Sequence, residues 1–160
     1  QDRFFAKLAK KLAHAVTPPM FVYLKSRKEI IKTLFSPGQD RLVIDIGSGN
    51  NPIDPRAMTV DISKDSGAKI VAKVESLPFL DGSLEGVVAC GLIEHLKAPW
   101  KIAAEITRVL KPDGYLYIEI PLLQGIHHDP YDEQRFTPEG LETLFGHLKT
   151  VEKGVASGRS

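Results

Sequence analysis

The run Val43-Ile44-Asp45-Ile46-Gly47-Ser48-Gly49-Asn50 constrains the fold more than any other stretch of the chain. Four strand-forming residues, apolar except for one acid, read as a strand buried on both faces, and such strands occur in parallel sheets covered by helices. A Gly-x-Gly step follows at once. With no side chains at 47 and 49, backbone N–H groups there can approach a ligand closely, although a Gly-x-Gly pair alone is equally a plain turn.

The remaining pattern agrees with a parallel sheet. After Leu42 to Ile46, short β-rich runs recur at Met58 to Asp61, Ile70 to Val74, Gly86 to Cys90 and Tyr115 to Ile120. Ala98 to Leu110 reads as the clearest crossover helix, with Ile102, Ile106, Val109 and Leu110 on one side and Lys111-Pro112-Asp113-Gly114 ending it. The expected architecture is α/β, a doubly wound, mostly parallel sheet of the Rossmann-like kind. Eleven residues separate Ile46 from Met58 and include Pro52 and Pro55, so the first crossover is expected to be shortened to a loop with at most a helical turn. Thr137 to Phe145 is expected to be a helix, capped by Thr137 with Pro138 at its first position. Residues 148 to 155 read as a further strand. The closing C-terminal hairpin of such sheets is expected to be incomplete.

Ahead of the sheet, Phe4, Phe5, Leu8, Leu12 and Val16 fall at helical spacing among Arg3, Lys7, Lys10 and Lys11, and a second helical pattern runs from about Phe21 to Leu34. Residues 1–38 are accordingly expected to form a basic helical extension, and residues 39–160 the main domain. The net charge of +1 hides this asymmetry, because residues 1–32 hold eight Lys or Arg against Asp2 and Glu29. Such a helix could touch an anionic membrane or cap a bound ligand; without interleaved base-stacking aromatics it makes a poor nucleic-acid site. The single cysteine, Cys90, cannot form an internal disulfide, and no targeting segment is evident, which favours a cytoplasmic setting with peripheral membrane contact as an option. The missing initiator Met and the polar ending Ala156 to Ser160 suggest a piece of a longer chain. The pattern does not specify an oligomeric state.

Asp61 stands at the end of the second strand pattern, where it could accept hydrogen bonds from both hydroxyls of a ribose. A dinucleotide fold would want a third glycine at position 52 to bring a helix N-terminus to a pyrophosphate, and this chain has Pro52. A ligand with a ribose and no phosphate suits the pattern better. S-adenosylmethionine is such a ligand. An NAD-dependent oxidoreductase is correspondingly disfavoured.

The segments Asp45-Ile46-Gly47-Ser48-Gly49, Leu77-Pro78-Phe79-Leu80-Asp81-Gly82-Ser83, Glu94-His95-Leu96 and Leu110-Lys111-Pro112-Asp113-Gly114 together resemble the class I S-adenosylmethionine-dependent methyltransferases, of the methyltransferase type 11-like kind, over about residues 41–150. That resemblance implies that Gly47, Ser48 and Gly49 line the methionine part of the cofactor. It implies also that Asp61 holds the ribose and that the segment up to Leu77 brackets the adenine. Lys73 departs from the common acid four residues before Leu77, leaving Glu75 and the backbone of Val74 as substitutes, with a solvated loop acid the competing role for Glu75. Asp45 reads as a buried acid beneath the glycine loop that backbone N–H groups or the cofactor amino group must satisfy. Gly91 is a further candidate for close cofactor approach, and His95 is as readily structural as catalytic.

The polar stretch His127 to Thr137 follows the fifth strand and should reach the same ligand edge, as an acceptor-side lid. His127 or His128 could take a proton from an acceptor near neutral pH. Asp132 and Arg135 are candidates for catalysis or for an ion pair that braces the loop. No metal site is expected, because adjacent histidines such as His127 and His128 rarely converge on one ion without help from another segment. The expected function is methyl transfer from S-adenosylmethionine to a small-molecule acceptor (a lipid, quinone, sugar or other metabolite) with S-adenosylhomocysteine as coproduct. A non-catalytic binding module of the same fold is the alternative.

Overall fold

Val43–Ile46 form strand β1, with all four residues buried, in the computed structural model. The structure describes residues 27–36, 38, 40–127 and 131–154. Around β1 stand β2 (Met58–Asp61), β3 (Ile70–Val71), β4 (Leu84–Cys90) and β5 (Leu110–Glu119), in the order β3-β2-β1-β4-β5. Every pairing is parallel: Ile44 lies opposite Met58 on one side and Val87 on the other, and Ile46 opposite Val60 and Ala89.

Alternation along each strand divides the core between the two faces. Ile44, Ile46, Val60, Val87 and Ala89 pack with Ile102, Ala103, Ile106 and Val109 of helix α2 (Pro99–Val109). Phe145 joins the same cluster, at the end of helix α3 (Pro138–Leu144). On the opposite face, Val43 and Val88 pack with Ala57 and with Leu34 and Phe35, at the end of helix α1 (Arg27–Leu34). The elements from α1 to α3 lie in one compact unit, Lys25–Thr150.

The shortened first crossover is present as turns and bends between β1 and β2, with no helix. Thr137 caps α3 as its sequence predicts, its Oγ1 accepting a hydrogen bond from the Gly140 N–H at 3.1 Å, with Pro138 at the first position. Three expectations need correction. β3 stops at Val71, because Lys73 to Ser76 turns, the Ser76 N–H donating to the Lys73 carbonyl at 3.1 Å. Lys111 to Gly114 belong to β5 rather than to a separate helix stop. Leu84 pairs with Leu110 and Gly86 with Tyr115, so the strand takes up three extra residues as an irregularity. Residues 148–154 contain no strand, and Val151 is 77% exposed. The basic helix expected over residues 3–15, and the start of the second helical pattern before Arg27, lie outside the described residues. No described helix is long and apolar enough to cross a membrane.

Helix α2 also clasps the Leu-Pro-Phe segment. The Leu77 N–H donates to Glu105 Oε1 at 2.6 Å, and Arg108 donates to the carbonyls of Leu77 and Phe79, to both Glu105 oxygens and to Asp81 Oδ1. Hydrogen bonding from Arg108 holds the Glu105 carboxyl below its ordinary pKa, so its ionised form stabilises the fold above the carboxylate range and that contribution fades as acid protonates it. Glu105→Gln is expected to lower Tm at neutral pH, and the deficit should narrow between about pH 5 and pH 2. Thermal melts across that range check it; a deficit independent of pH would contradict the carboxylate's role.

Candidate active site

The chain leaves β1 through two glycines in the left-handed region. Gly47 has φ +67°, its N–H donates to the Val60 carbonyl at 2.8 Å, and a Cβ there would lie 2.8 Å from Leu92 Cδ1. Gly49 has φ +52°, and its N–H donates to Asp61 Oδ2 at 2.9 Å. Asp61 Oδ1 accepts from the Ser63 N–H at 2.8 Å. The acid at the end of β2 therefore ties together the two loops at the carboxyl edge of the sheet, its side chain fixed by backbone donors. An ionised carboxylate has about four acceptor positions, so capacity remains for further donors such as sugar hydroxyls.

Beneath the loop, Asp45 is buried and its Oδ2 accepts from the Ile53 N–H at 2.7 Å, pinning the far end of the β1–β2 connection. Ser48 is buried too, and its Oγ has no hydrogen-bond partner. An orphaned hydroxyl in this loop is what a site built around an additional polar ligand would contain. A cavity of about 440 Å³ borders the same loop, lined in part by Gly49, Asn50, Thr59, Ser66 and Lys69. The connection thus leaves open volume where a crossover helix would pack.

Beyond β1, the edge continues through β4. Gly91, at φ +62°, donates its N–H to the Glu119 carbonyl at 2.8 Å, and a 3₁₀ turn, Ile93–His95, follows. The stretch after β5 is stitched to this turn by its backbone. The N–H groups of Glu133 and Gln134 both donate to the Glu94 carbonyl, at 2.9 and 3.1 Å, Gln134 Nε2 donates to the Leu96 carbonyl, and His95 Nδ1 meets the Tyr131 carbonyl. The His95 and His127 rings stand edge to face with centroids 4.9 Å apart. Asp132, its side chain only 3% exposed, pairs through both oxygens with Arg135 and accepts the His127 N–H at 3.1 Å. Hydrogen bonding from Arg135 lowers the Asp132 pKa to about 2. Glu94 is 1% exposed; its Oε2 has no hydrogen-bond partner and its Oε1 lies 3.9 Å from His95 Nε2. Burial pushes the Glu94 carboxyl pKa up.

Comparison with known proteins fits this geometry. Residues 45–118, which span β1 through most of β5, match the family model described as a methyltransferase domain. That match covers just under half of the chain and makes this segment similar to a methyltransferase domain. An uncharacterised methyltransferase of Mycobacterium sp. (strain JLS) is 37% identical over 73 residues, which make up 45% of this chain and 29% of that protein. The matched part thus spans less than a third of the relative's length. The fold recurs in the PH0226 protein of Pyrococcus horikoshii OT3, with a TM-score of 0.63 at 16% identity over 81% of this chain and 84% of that one. It recurs also in an S-adenosylmethionine-dependent methyltransferase of Thermotoga maritima, with a TM-score of 0.58 at 20% identity over 76% of this chain and 68% of that one.

Within the matched segment, Gly47, Ser48, Gly49 and Asp61 converge at one edge, with Asp45 below them and Gly91 at the end of the neighbouring β4. Val74 and Leu77 are buried in the core cluster while Glu75 and Ser76 are exposed, so the polar groups of that segment are the Glu75 carboxylate, the Ser76 hydroxyl and the backbone. His127, Asp132 and Arg135 come together in the stretch after β5. His128 lies outside the described residues. Asp132 and Arg135 form the ion pair that sequence spacing allowed, and it braces the loop. Glu94 was missing from the expected site. Its only sequence signal was the Glu-His pair just after β4, which says nothing about His127 arriving from another segment.

Proposed function

We propose that this domain binds S-adenosylmethionine against the glycine loop and Asp61, and transfers its methyl group to a small-molecule acceptor on the Glu94–His127 side. The observation that carries this proposal is the Asp61 carboxylate, aimed by the Gly49 and Ser63 N–H groups with acceptor capacity to spare. The unpartnered Ser48 hydroxyl supports a polar ligand in the same loop. When bound, the cofactor supplies an electrophilic methyl group on a sulfonium and leaves as S-adenosylhomocysteine. The chain has only to align the acceptor behind that methyl group and exclude water, so no protein nucleophile is needed. The proton lost by a hydroxyl or amine acceptor leaves on the side where Glu94, His95 and His127 converge, beneath a loop held by the Asp132–Arg135 pair.

Incubation with S-adenosylmethionine and a panel of phenols, quinols, sugars, amines and lipids is expected to give acceptor-dependent release of S-adenosylhomocysteine. Cofactor binding without transfer to any acceptor class would overturn the catalytic part and leave a binding module.

A further inference from the structure

We infer that Glu94, His95 and His127 form a binding site for a divalent transition-metal ion, which holds an oxygen of the acceptor beside the methyl donor. The placement of the acceptor rests on the proposed function; the metal site itself does not. Each of the three residues offers one ligand atom, and the three atoms lie within 4.8 Å of one another. Ligand bonds of about 2.0–2.2 Å place atoms around one ion roughly 3–4 Å apart, so closing the site shortens the longest separation by at most about 1–2 Å.

Three independent features favour an ion here. The Glu94 carboxylate is 1% exposed with Oε2 unpartnered, a costly state for a buried acid that a cation would relieve. His95 is held at Nδ1 by the Tyr131 carbonyl, and His127 Nδ1 is buried without a hydrogen-bond partner, 3.3 Å from Asp132 Oδ2. A carbonyl at the far nitrogen is one way metal-ligating histidines are oriented, and it leaves His95 Nε2 to offer its lone pair. Finally, the ligands come from two segments locked together by the hydrogen bonds from Glu133 and Gln134 to the Glu94 carbonyl. That supplies the convergence adjacent histidines lack.

Two imidazoles and one carboxylate suit zinc, iron, cobalt or manganese better than magnesium or calcium, which prefer all-oxygen shells. Three protein ligands leave a position open. An acceptor hydroxyl bound there loses its proton to solvent; its oxygen lone pair then forms the new O–CH₃ bond while the S–CH₃ bond breaks with its electron pair going to sulfur. The ion makes that hydroxyl more acidic.

The test is a calorimetric titration of the chelator-treated full chain with zinc chloride, with the visible spectrum of added cobalt(II) as a second readout. One zinc per chain is expected. Glu94→Gln and His127→Asn should each weaken it by more than about 100-fold, and Asp132→Asn, which weakens the pair with Arg135 and the hold on His127, by about 10-fold or more. His147→Asn, which removes a histidine elsewhere, should change nothing. Wild-type protein that takes up no zinc would overturn the site, as would undiminished binding in both Glu94→Gln and His127→Asn. Asp61→Ala separates the two ideas: it should keep zinc while losing S-adenosylhomocysteine. Zinc binding without any cofactor binding would sink the proposed function and leave the metal site standing; cofactor binding without zinc would do the reverse.

Discussion

Asp61→Ala is expected to weaken S-adenosylhomocysteine binding by about 100-fold or more. Hydrogen bonds to a charged group contribute about 1.5–3 kcal/mol each, so losing even one or two from a ribose amounts to roughly 3 kcal/mol. The same carboxylate accepts the Gly49 and Ser63 N–H groups, so its removal also loosens the loops that shape the site. Asp61→Asn keeps one acceptor oxygen and should fall between the variant and the wild type. Calorimetry measures the affinities, and thermal melts show whether the fold survives. Equal affinity in wild type and Asp61→Ala would remove Asp61 from the cofactor site.

Gly47→Ala should be the most disruptive single methyl group added to the glycine loop. A non-glycine residue at φ +67° costs about 1–2 kcal/mol, and the new Cβ would press on Leu92 Cδ1 at 2.8 Å. The total should be about 2–3 kcal/mol, a fall in Tm of about 5–10 °C. Gly49 offers the contrast. Its φ is also positive, but a Cβ there meets nothing within 4 Å, so Gly49→Ala should carry the backbone cost alone. Both variants should bind cofactor less well than wild type. Similar Tm losses at the two positions would show that Leu92 yields freely.

The sheet was legible because its strands are short runs of uniform character. Met58–Asp61 follows its sequence run residue for residue, and Thr137 and Pro138 mark the start of α3 through capping chemistry that acts locally. Errors came where apolar residues continued past the point at which tertiary pairing stopped. Ile70 to Val74 looks like one strand, but pairing with β2 runs out after the Ala72 N–H donates to the Asp61 carbonyl. Leu148 and Val151 suggest a strand at a place where the described chain pairs with nothing in the sheet. The Gly47–Gly49–Asp61 edge was readable because the Gly-x-Gly step and the acid each end a strand, and parallel strands bring their ends together. Glu94, His95 and His127 could not be read in this way. Their meeting depends on Glu133 and Gln134 donating to one carbonyl far away in the sequence, and on Asp132 holding His127 in place.

The most direct test of the cofactor site is a crystal structure of the chain with S-adenosylhomocysteine. Both ribose hydroxyls are expected within hydrogen-bond distance of Asp61, about 2.5–3.0 Å, with the amino-acid end against Gly47 to Gly49 and the sulfur facing the Glu94–His127 side. A ligand seated away from Asp61, or density absent from that edge at saturating concentration, would contradict it.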